Sequence, residues 1–287
     1  MDYYVIQFLN GLSYAMLLFL LATGLSLVFG MMNIINLAHG SFYMLGAYLG
    51  YSTALKTGNF WLSLLVAPLV IGLVGFILEF IFLRPLYARG HLQQVLLTVG
   101  FIFVIWDVTT TLWGKSVMSV AAPPLLAGTA KFWGVIYPSY RFFLIGFGLV
   151  AALALWLLLE RTRLGAVVRA GVADQEMVGG LGINIKMLFS SIFAFGTALA
   201  ALGGVLAAPV LGLHPGMDME LLIAVLIVVV VGGLGTFAGS FWGALLIGEA
   251  DTFGKILIPE WGLVIIYAVM TLVLLLKPEG LLVKKGA

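Results

Sequence analysis

Asn33, Asn36, His39 and Ser41 interrupt an otherwise apolar stretch that begins at Gly30, and a second glycine-rich interruption runs from Gly232 to Ser240. A helix broken within lipid leaves backbone N–H and C=O groups that protein or water must satisfy, so such breaks occur where a cavity is lined. Neutral polar side chains and helix ends at those places suit the brief passage of a polar or zwitterionic solute. Asn33, Asn36, His39, Gly40, Ser41, Gly232, Gly233, Gly235, Gly239 and Ser240 are therefore the candidate pathway residues. His39 has three readings: a proton carrier, a solute contact, or a hydrogen-bond partner that fastens the break, the last being preferred. The two breaks echo one another in Gly40-Ser41-Phe42-Tyr43 and Gly239-Ser240-Phe241-Trp242, a weak sign of internal duplication. The plainer reading of the glycines is that they let helices approach closely.

Four carboxylates, Glu79, Asp107, Glu249 and Asp251, fall within or near apolar runs. Each would cost about 2.5 to 3.5 kcal/mol if unpaired at the centre of a membrane helix. Glu79 lies about one turn from Arg84, Asp251 is spaced i to i+4 with Lys255, and Asp107 adjoins Thr109, Thr110 and Thr111. Ion-pair or interfacial roles are preferred over a proton relay. Catalysis is excluded by inventory: the chain has no cysteine, its three histidines are far apart, and neither HExxH nor GxSxG occurs. Gly248 to Lys255 resembles a phosphate loop only loosely, with five residues between its glycines and no following Ser or Thr. The chain cannot hydrolyse ATP by that route, so any ATP that drives it is hydrolysed by another subunit.

The elements that position these residues follow from composition. Of 287 residues, 63% are hydrophobic and 9% charged, against roughly a quarter charged in a soluble domain. Apolar runs long enough to cross about 30 Å of hydrocarbon as helix recur throughout. They are continuous and rich in Leu, Ala and Gly, without the short alternation of a barrel. The fold class is all-α, a polytopic membrane protein of about eight to nine segments with broken helices. The segments are 5–29, 34–55, 61–83, 92–113, 142–160, 188–212, 221–233, 237–257 and 261–277. A net charge of +2 leaves no nucleic-acid footprint, and Asp2 in place of a basic leader argues against a cleaved signal.

Nine of the fourteen basic residues share one side under this assignment, including Arg84, Arg89, Lys277, Lys284 and Lys285, which puts that side in the cytoplasm and the N-terminus outside. The loop 114–141, with Pro123, Pro124 and Pro138, is then a folded external cap, and Trp61, Trp113, Trp133 and Trp261 form an aromatic belt. Residues 221–231 reach only about 17 Å as helix, so they form a half-helix or re-entrant arm. A single kinked crossing over 221–248 is the alternative, but its parity would put the basic C-terminus outside.

The one long polar stretch, 160–187, carries Arg161, Arg163, Arg169 and Lys186 against Glu160, Asp174 and Glu176. Its apolar positions Leu164, Val167, Val168, Val172 and Leu181 approximate helical spacing, so it reads as an amphipathic helix offered to a soluble partner.

INLAHGSFYMLGAYLG at 35–50, ERTRLGAVVRAGVADQEMVGGLGIN at 160–184, PGMDMELL at 215–222, GGLGTFAGSFWGALLIG at 232–248 and LLLKPEGLL at 274–282 resemble, in order, the branched-chain amino acid ABC transporter permeases, especially their LivH-like branch. The resemblance implies a single permease domain over 1–287, of the type II ABC importer kind, in the bacterial inner membrane. It implies a second, LivM-like permease, two cytoplasmic ATP-binding subunits and a periplasmic substrate-binding protein as partners, with no cofactor in this chain and ATP hydrolysed by the partners. It also implies that 160–187 is the ATPase coupling element, with Arg163, Gly165, Arg169, Asp174, Glu176, Gly182 and Ile183 matching the motif. Met177-Val178-Gly179-Gly180 departs from the pattern, and two glycines, each disfavouring helix by about 1 kcal/mol, would end the coupling helix near Val178. Solutes moved by such permeases include branched-chain and other amino acids, amides, urea and small carboxylates. A self-sufficient carrier driven by H+ or Na+ through His39, Glu249 or Asp251, or a channel or structural subunit, would not need the 160–187 stretch.

Overall fold

The first helix, α1, runs through Asp2–Met32, 31 residues, and at about 1.5 Å per residue is long enough to pass right through a bilayer. The computed structural model describes residues 2–87, 89–132 and 134–282. Continuous apolar sequence with no proline in α1 explains its length, and it stops where Asn33 takes a left-handed conformation, φ 53°. The chain then continues as α2 (His39–Thr57), α3 (Phe60–Leu78), α4 (His91–Trp113), a two-stranded hairpin β1 (Thr129–Phe132) and β2 (Val135–Pro138), and α5 (Ser139–Arg161). Two short helices follow, α6 (Arg163–Ala173) and α7 (Gln175–Gly180), and then α8 (Ile185–Leu211), α9 (Met217–Gly232), α10 (Phe237–Leu257) and α11 (Gly262–Leu276).

Among the described residues, five helical stretches are long and apolar enough to cross a membrane, or six if α9 and α10 count as one bent span. The all-α polytopic reading therefore holds. The four other segments expected from sequence are helices α2, α9, α10 and α11, none of which meets that length and composition by itself. The second segment begins at His39, not at 34, because residues 33–36 are irregular and 37–38 form a turn.

Burial separates a central pair from a periphery. The most apolar windows of α1 and α8 are 83% and 72% buried, whereas those of α3, α4 and α5 are 28%, 28% and 22% buried and turn Leu, Val and Phe side chains outward, as lipid-facing helices do. Small residues permit the central contacts: Gly46 lies against Ala201 of α8, and Gly248 of α10 lies against Ala15 of α1.

The bundle has two distinct ends. At one, β1 pairs antiparallel with β2, Met118 bridges to Leu213, and the Tyr137 hydroxyl donates to Asn10 Oδ1 at 3.0 Å. This is the folded cap expected for 114–141, with Trp113 anchored by its indole N–H on Ser52 Oγ at 2.6 Å. Of the expected aromatic belt, Trp61 and Trp261 are exposed at the same end, and Trp133 lies outside the described residues. The opposite end gathers Met32, the turn after α3, α6 and α7, and the break between α9 and α10. Lys284 and Lys285 lie outside the described residues.

Glu79 does not pair with Arg84, contrary to the sequence expectation. A π turn over Glu79–Leu83 widens the helix, the fully buried Glu79 accepts from the Tyr87 hydroxyl, and the Arg84 guanidinium sits 4.9 Å over the Phe80 ring. Asp251 and Lys255 do pair, at 2.6 Å.

Candidate functional site

The first break is held by its own polar side chains. Asn36, fully buried, accepts the Ala38 N–H on its Oδ1 at 3.1 Å, while the Leu37 N–H reaches Thr98 Oγ1 on α4 at 3.4 Å. His39 is also fully buried, and its Nε2 lies 3.0 Å from the Leu21 carbonyl oxygen of α1. A carbonyl only accepts, so Nε2 carries the hydrogen and Nδ1 faces the interior without a partner. His39 thus ties the start of α2 to the middle of α1. Asn33 is exposed at the other side of the break and lines a cavity of about 180 Å³ with His91 and Gln94.

The second break bends the path from α9 to α10 by 120°, the geometry of a broken span or of a re-entrant loop. Gly233 and Gly235 adopt φ of 105° and 77°, values that glycine tolerates without strain. Thr236 Oγ1 donates to the Gly233 carbonyl at 2.8 Å, and Ser240 Oγ to the Thr236 carbonyl at 3.0 Å. The carbonyls left open at the end of α9 are met by the C-terminal segment: Leu281 N–H reaches Val231 O at 2.8 Å and Leu282 N–H reaches Gly232 O at 3.3 Å.

The echoed tetrapeptides bracket α9. A Cβ on Gly40 would strike the carbonyl oxygen of Asp218 at the start of α9, and one on Gly239 would strike the carbonyl of Gly232 at its end. Ser41 Oγ donates to Asp218 Oδ2 at 2.9 Å, and Asp218, 1% exposed, leaves Oδ1 without a partner. Gly235 meanwhile packs on Gly30 of α1. Gly40 and Ser41 therefore hold the start of the half-helix α9 and Gly232 and Gly239 its end, His39 and Gly235 pack on α1, and none of the ten sequence-predicted pathway residues lines the cavity at the capped end.

That cavity, about 920 Å³, opens at the capped end and descends to the start of α9. Its wall combines Asn10, Tyr14 and Leu17 of α1, Tyr43 of α2, Arg141 of α5, His214 before α9, Glu220 and Leu221 of α9, Asp251 and Lys255 of α10, and Ile266 and Tyr267 of α11. His214 Nε2 lies 3.4 Å from Glu220 Oε1, and Arg141 donates to Asn10 Oδ1. Sequence reasoning missed Arg141, the last residue of the loop 114–141. It quoted Glu220 in a motif without a role.

At the other end the 160–187 stretch is two helices, not one. Thr162 Oγ1 caps α6 on the Gly165 N–H at 3.1 Å, and Asp174 Oδ1 caps α7 on the Met177 N–H at 2.9 Å. The interruption falls at Asp174, and α7 continues through Gly179 and Gly180 beyond the stop expected at Val178. The expected apolar face also divides: Val167 and Val168 are half-buried and Val178 is buried, while Leu164, Val172, Met177 and Leu181 are exposed. Arg163, Asp174, Glu176 and Gly182 are exposed, Gly165 is buried on the carbonyls of Leu158 and Leu159, and Ile183 is half-buried. Arg169 pairs with Glu160 at 3.4 Å, both about half exposed. Gln175 Nε2 donates to the Met31 carbonyl at 2.8 Å and Gly171 rests on the Met31 side chain, so the exposed pair is fastened to α1 two residues before Asn33.

A family model described as "Branched-chain amino acid transport system / permease component" matches residues 7–274. The high-affinity branched-chain amino acid transport system permease protein BraD of Pseudomonas aeruginosa is 28% identical, with 98% of this chain and 96% of that protein covered. LivH of Escherichia coli K12, a permease protein of the same description, is 27% identical over the same shares. LivM of Salmonella typhimurium is 28% identical over 93% of this chain and 68% of its own length. No solved structure matches the chain.

Proposed function

The chain belongs to the branched-chain amino acid transport permease family, and from that premise we propose that it is the LivH-like membrane subunit of an ATP-binding-cassette importer, moving branched-chain amino acids or a related small polar solute into the cytoplasm. It works beside a LivM-like permease, two cytoplasmic ATP-binding subunits and a periplasmic substrate-binding protein, in a bacterial inner membrane. The similarity to both LivH and LivM supports a pair of homologous permeases, one of each kind.

The observation that carries the reading is the attachment of α6 and α7. Exposed Leu164, Met177 and Leu181 form apolar knobs among Arg163, Arg169 and Glu176, a surface suited to a soluble partner. Behind it, Gln175 and Gly171 grip the end of α1 beside the first break. Movement of the ATP-binding subunits is passed through that grip to Asn33 and the turn that seats His39, and from α2 to α9 through Ser41 and Asp218. The cavity at the capped end is then the outward side of an alternating-access path. The clamped half-helix α9 and the α9–α10 turn close the inward side.

Basic residues support the orientation. Arg84, Arg89, Arg161, Arg163, Arg169, Lys186 and Lys277 gather at the α6–α7 end, which supports a cytoplasmic face there. The test is Glu176→Lys, or deletion of 170–180, in the reconstituted complex. Insertion and ATP hydrolysis persist while uptake is lost. Undiminished uptake would refute the reading, as would accumulation by the chain alone under a proton or sodium gradient.

A further inference from the structure

The charged groups around the 920 Å³ cavity are not equally committed. A half-helix N-terminus ordinarily draws the anionic group of a solute. At α9 that role is filled by the chain itself, because Asp218 lies sealed beneath Ser41 and Glu220 sits in the same first turn. A solute carboxylate has to be held elsewhere. Lys255 is engaged by Asp251 at 2.6 Å, whereas Arg141 donates to the neutral Asn10 Oδ1, and among the described residues no carboxylate lies within ion-pair distance of it. Glu220 is the complementary group. Its carboxylate has the His214 imidazole at 3.4 Å and is otherwise 73% exposed.

A second observation points to an occupant. Tyr43 is fully buried, its hydroxyl has no partner, and it forms part of the cavity wall. A buried hydroxyl without a partner is destabilising, so a ligand or its water that reaches it is favoured. Between the charges the wall is aliphatic, with Leu17, Leu221 and Ile266. The volume lies within the range of about 300 to 1,000 Å³ of ligand pockets and leaves room for water around one small solute, which suits weak, transient holding.

We propose that this cavity is a solute station within the permease, selective for the α-amino acid zwitterion: Arg141 takes the carboxylate, Glu220 takes the ammonium, and the aliphatic wall takes the side chain. The proposal rests on the importer reading for the direction of travel. Specificity then resides partly in the membrane subunit, which rejects solutes lacking either charge after delivery.

The test uses the full chain in lipid nanodiscs without partners, with radiolabelled L-leucine as the probe, and isoamylamine and 4-methylpentanoate as analogues lacking the carboxylate or the ammonium. Leucine binds at least tenfold more tightly than either analogue. Arg141→Gln weakens leucine and 4-methylpentanoate at least tenfold and leaves isoamylamine unchanged. Glu220→Gln weakens leucine and isoamylamine and leaves 4-methylpentanoate unchanged. A merely structural role for Arg141, through Asn10 and the cap, would weaken all three ligands together and overturn the assignment. Glu220 is exposed, so its variant decides the matter if Arg141→Gln does not fold. Absence of leucine binding by the folded wild-type chain, or equal binding of the analogues, also overturns it. ATP-driven leucine uptake by the complete transporter, with no binding to the chain alone, would remove the station and leave the importer. Absence of ATP-driven uptake would remove the importer reading whatever the nanodiscs show.

Discussion

Ser41→Ala is expected to destabilise the fold more than removal of the carboxylate it serves. Ser41 Oγ donates to Asp218 Oδ2 at 2.9 Å, both residues are at most 1% exposed, and Asp218 Oδ1 has no partner. Deleting the hydroxyl strips the buried carboxylate of its one side-chain hydrogen bond. Hydrogen bonds to charged groups contribute about 1.5 to 3 kcal/mol, and the orphaned acceptor puts the loss near the upper end, about 2 to 3 kcal/mol. Asp218→Ala removes the costly group with its partner and is expected to lose less, about 1 kcal/mol, because a lone hydroxyl is cheaper to bury than a lone carboxylate. In the Asp218→Ala background, Ser41→Ala should then be almost neutral, giving a double-mutant coupling of about 2 kcal/mol. The assay is reversible unfolding in bicelles for the four proteins of the cycle. A coupling below about 0.5 kcal/mol, the limit of additivity for independent sites, would refute the claim that this contact fastens α2 to α9.

Gln175→Ala should cost the fold no more than about 1 kcal/mol, the net value of one hydrogen bond, yet lower uptake severalfold while ATP hydrolysis continues, as measured in proteoliposomes of the complete transporter. Equal losses of hydrolysis and uptake would instead mean that the α6–α7 surface, not its tether to Met31, was damaged. Gly239→Leu places a side chain against the Gly232 carbonyl. Overpacking of about 1 to 3 kcal/mol is expected to spread the α9–α10 turn, raising protease access there in a limited digest, whereas an unaltered digest would contradict the close packing.

Much of the architecture is legible in composition because lipid permits few solutions. The apolar runs had to be helices, and Gly232-Gly233-Leu234-Gly235 after an eleven-residue apolar run had to break one. The roles of the breaks were less accessible. His39, Gly40 and Ser41 look like pathway residues by type, yet they face α1 and α9, and helix-to-helix registers of 177 residues between Ser41 and Asp218 leave no trace in local pattern. The cavity was hidden for the same reason: Arg141, Glu220 and Tyr43 come from three separate helices. Asp174 was legible as a charge but not as a cap, because the apolar spacing of Leu164 to Leu181 runs straight through it. KPEGLL was legible only as a motif, and its work of meeting the open carbonyls of α9 depends on a contact 50 residues back.

The central claim is that α6 and α7 face the cytoplasm and receive mechanical work from an ATP-hydrolysing subunit. The chain has no cysteine, so Met177→Cys introduces a unique thiol on the exposed face of α7. In the assembled, actively transporting complex this thiol should react only with reagents admitted to the cytoplasmic side and should cross-link to an ATP-binding subunit. Labelling from the external side, or an active complex in which the introduced thiol cross-links to no ATP-hydrolysing protein, would contradict the account.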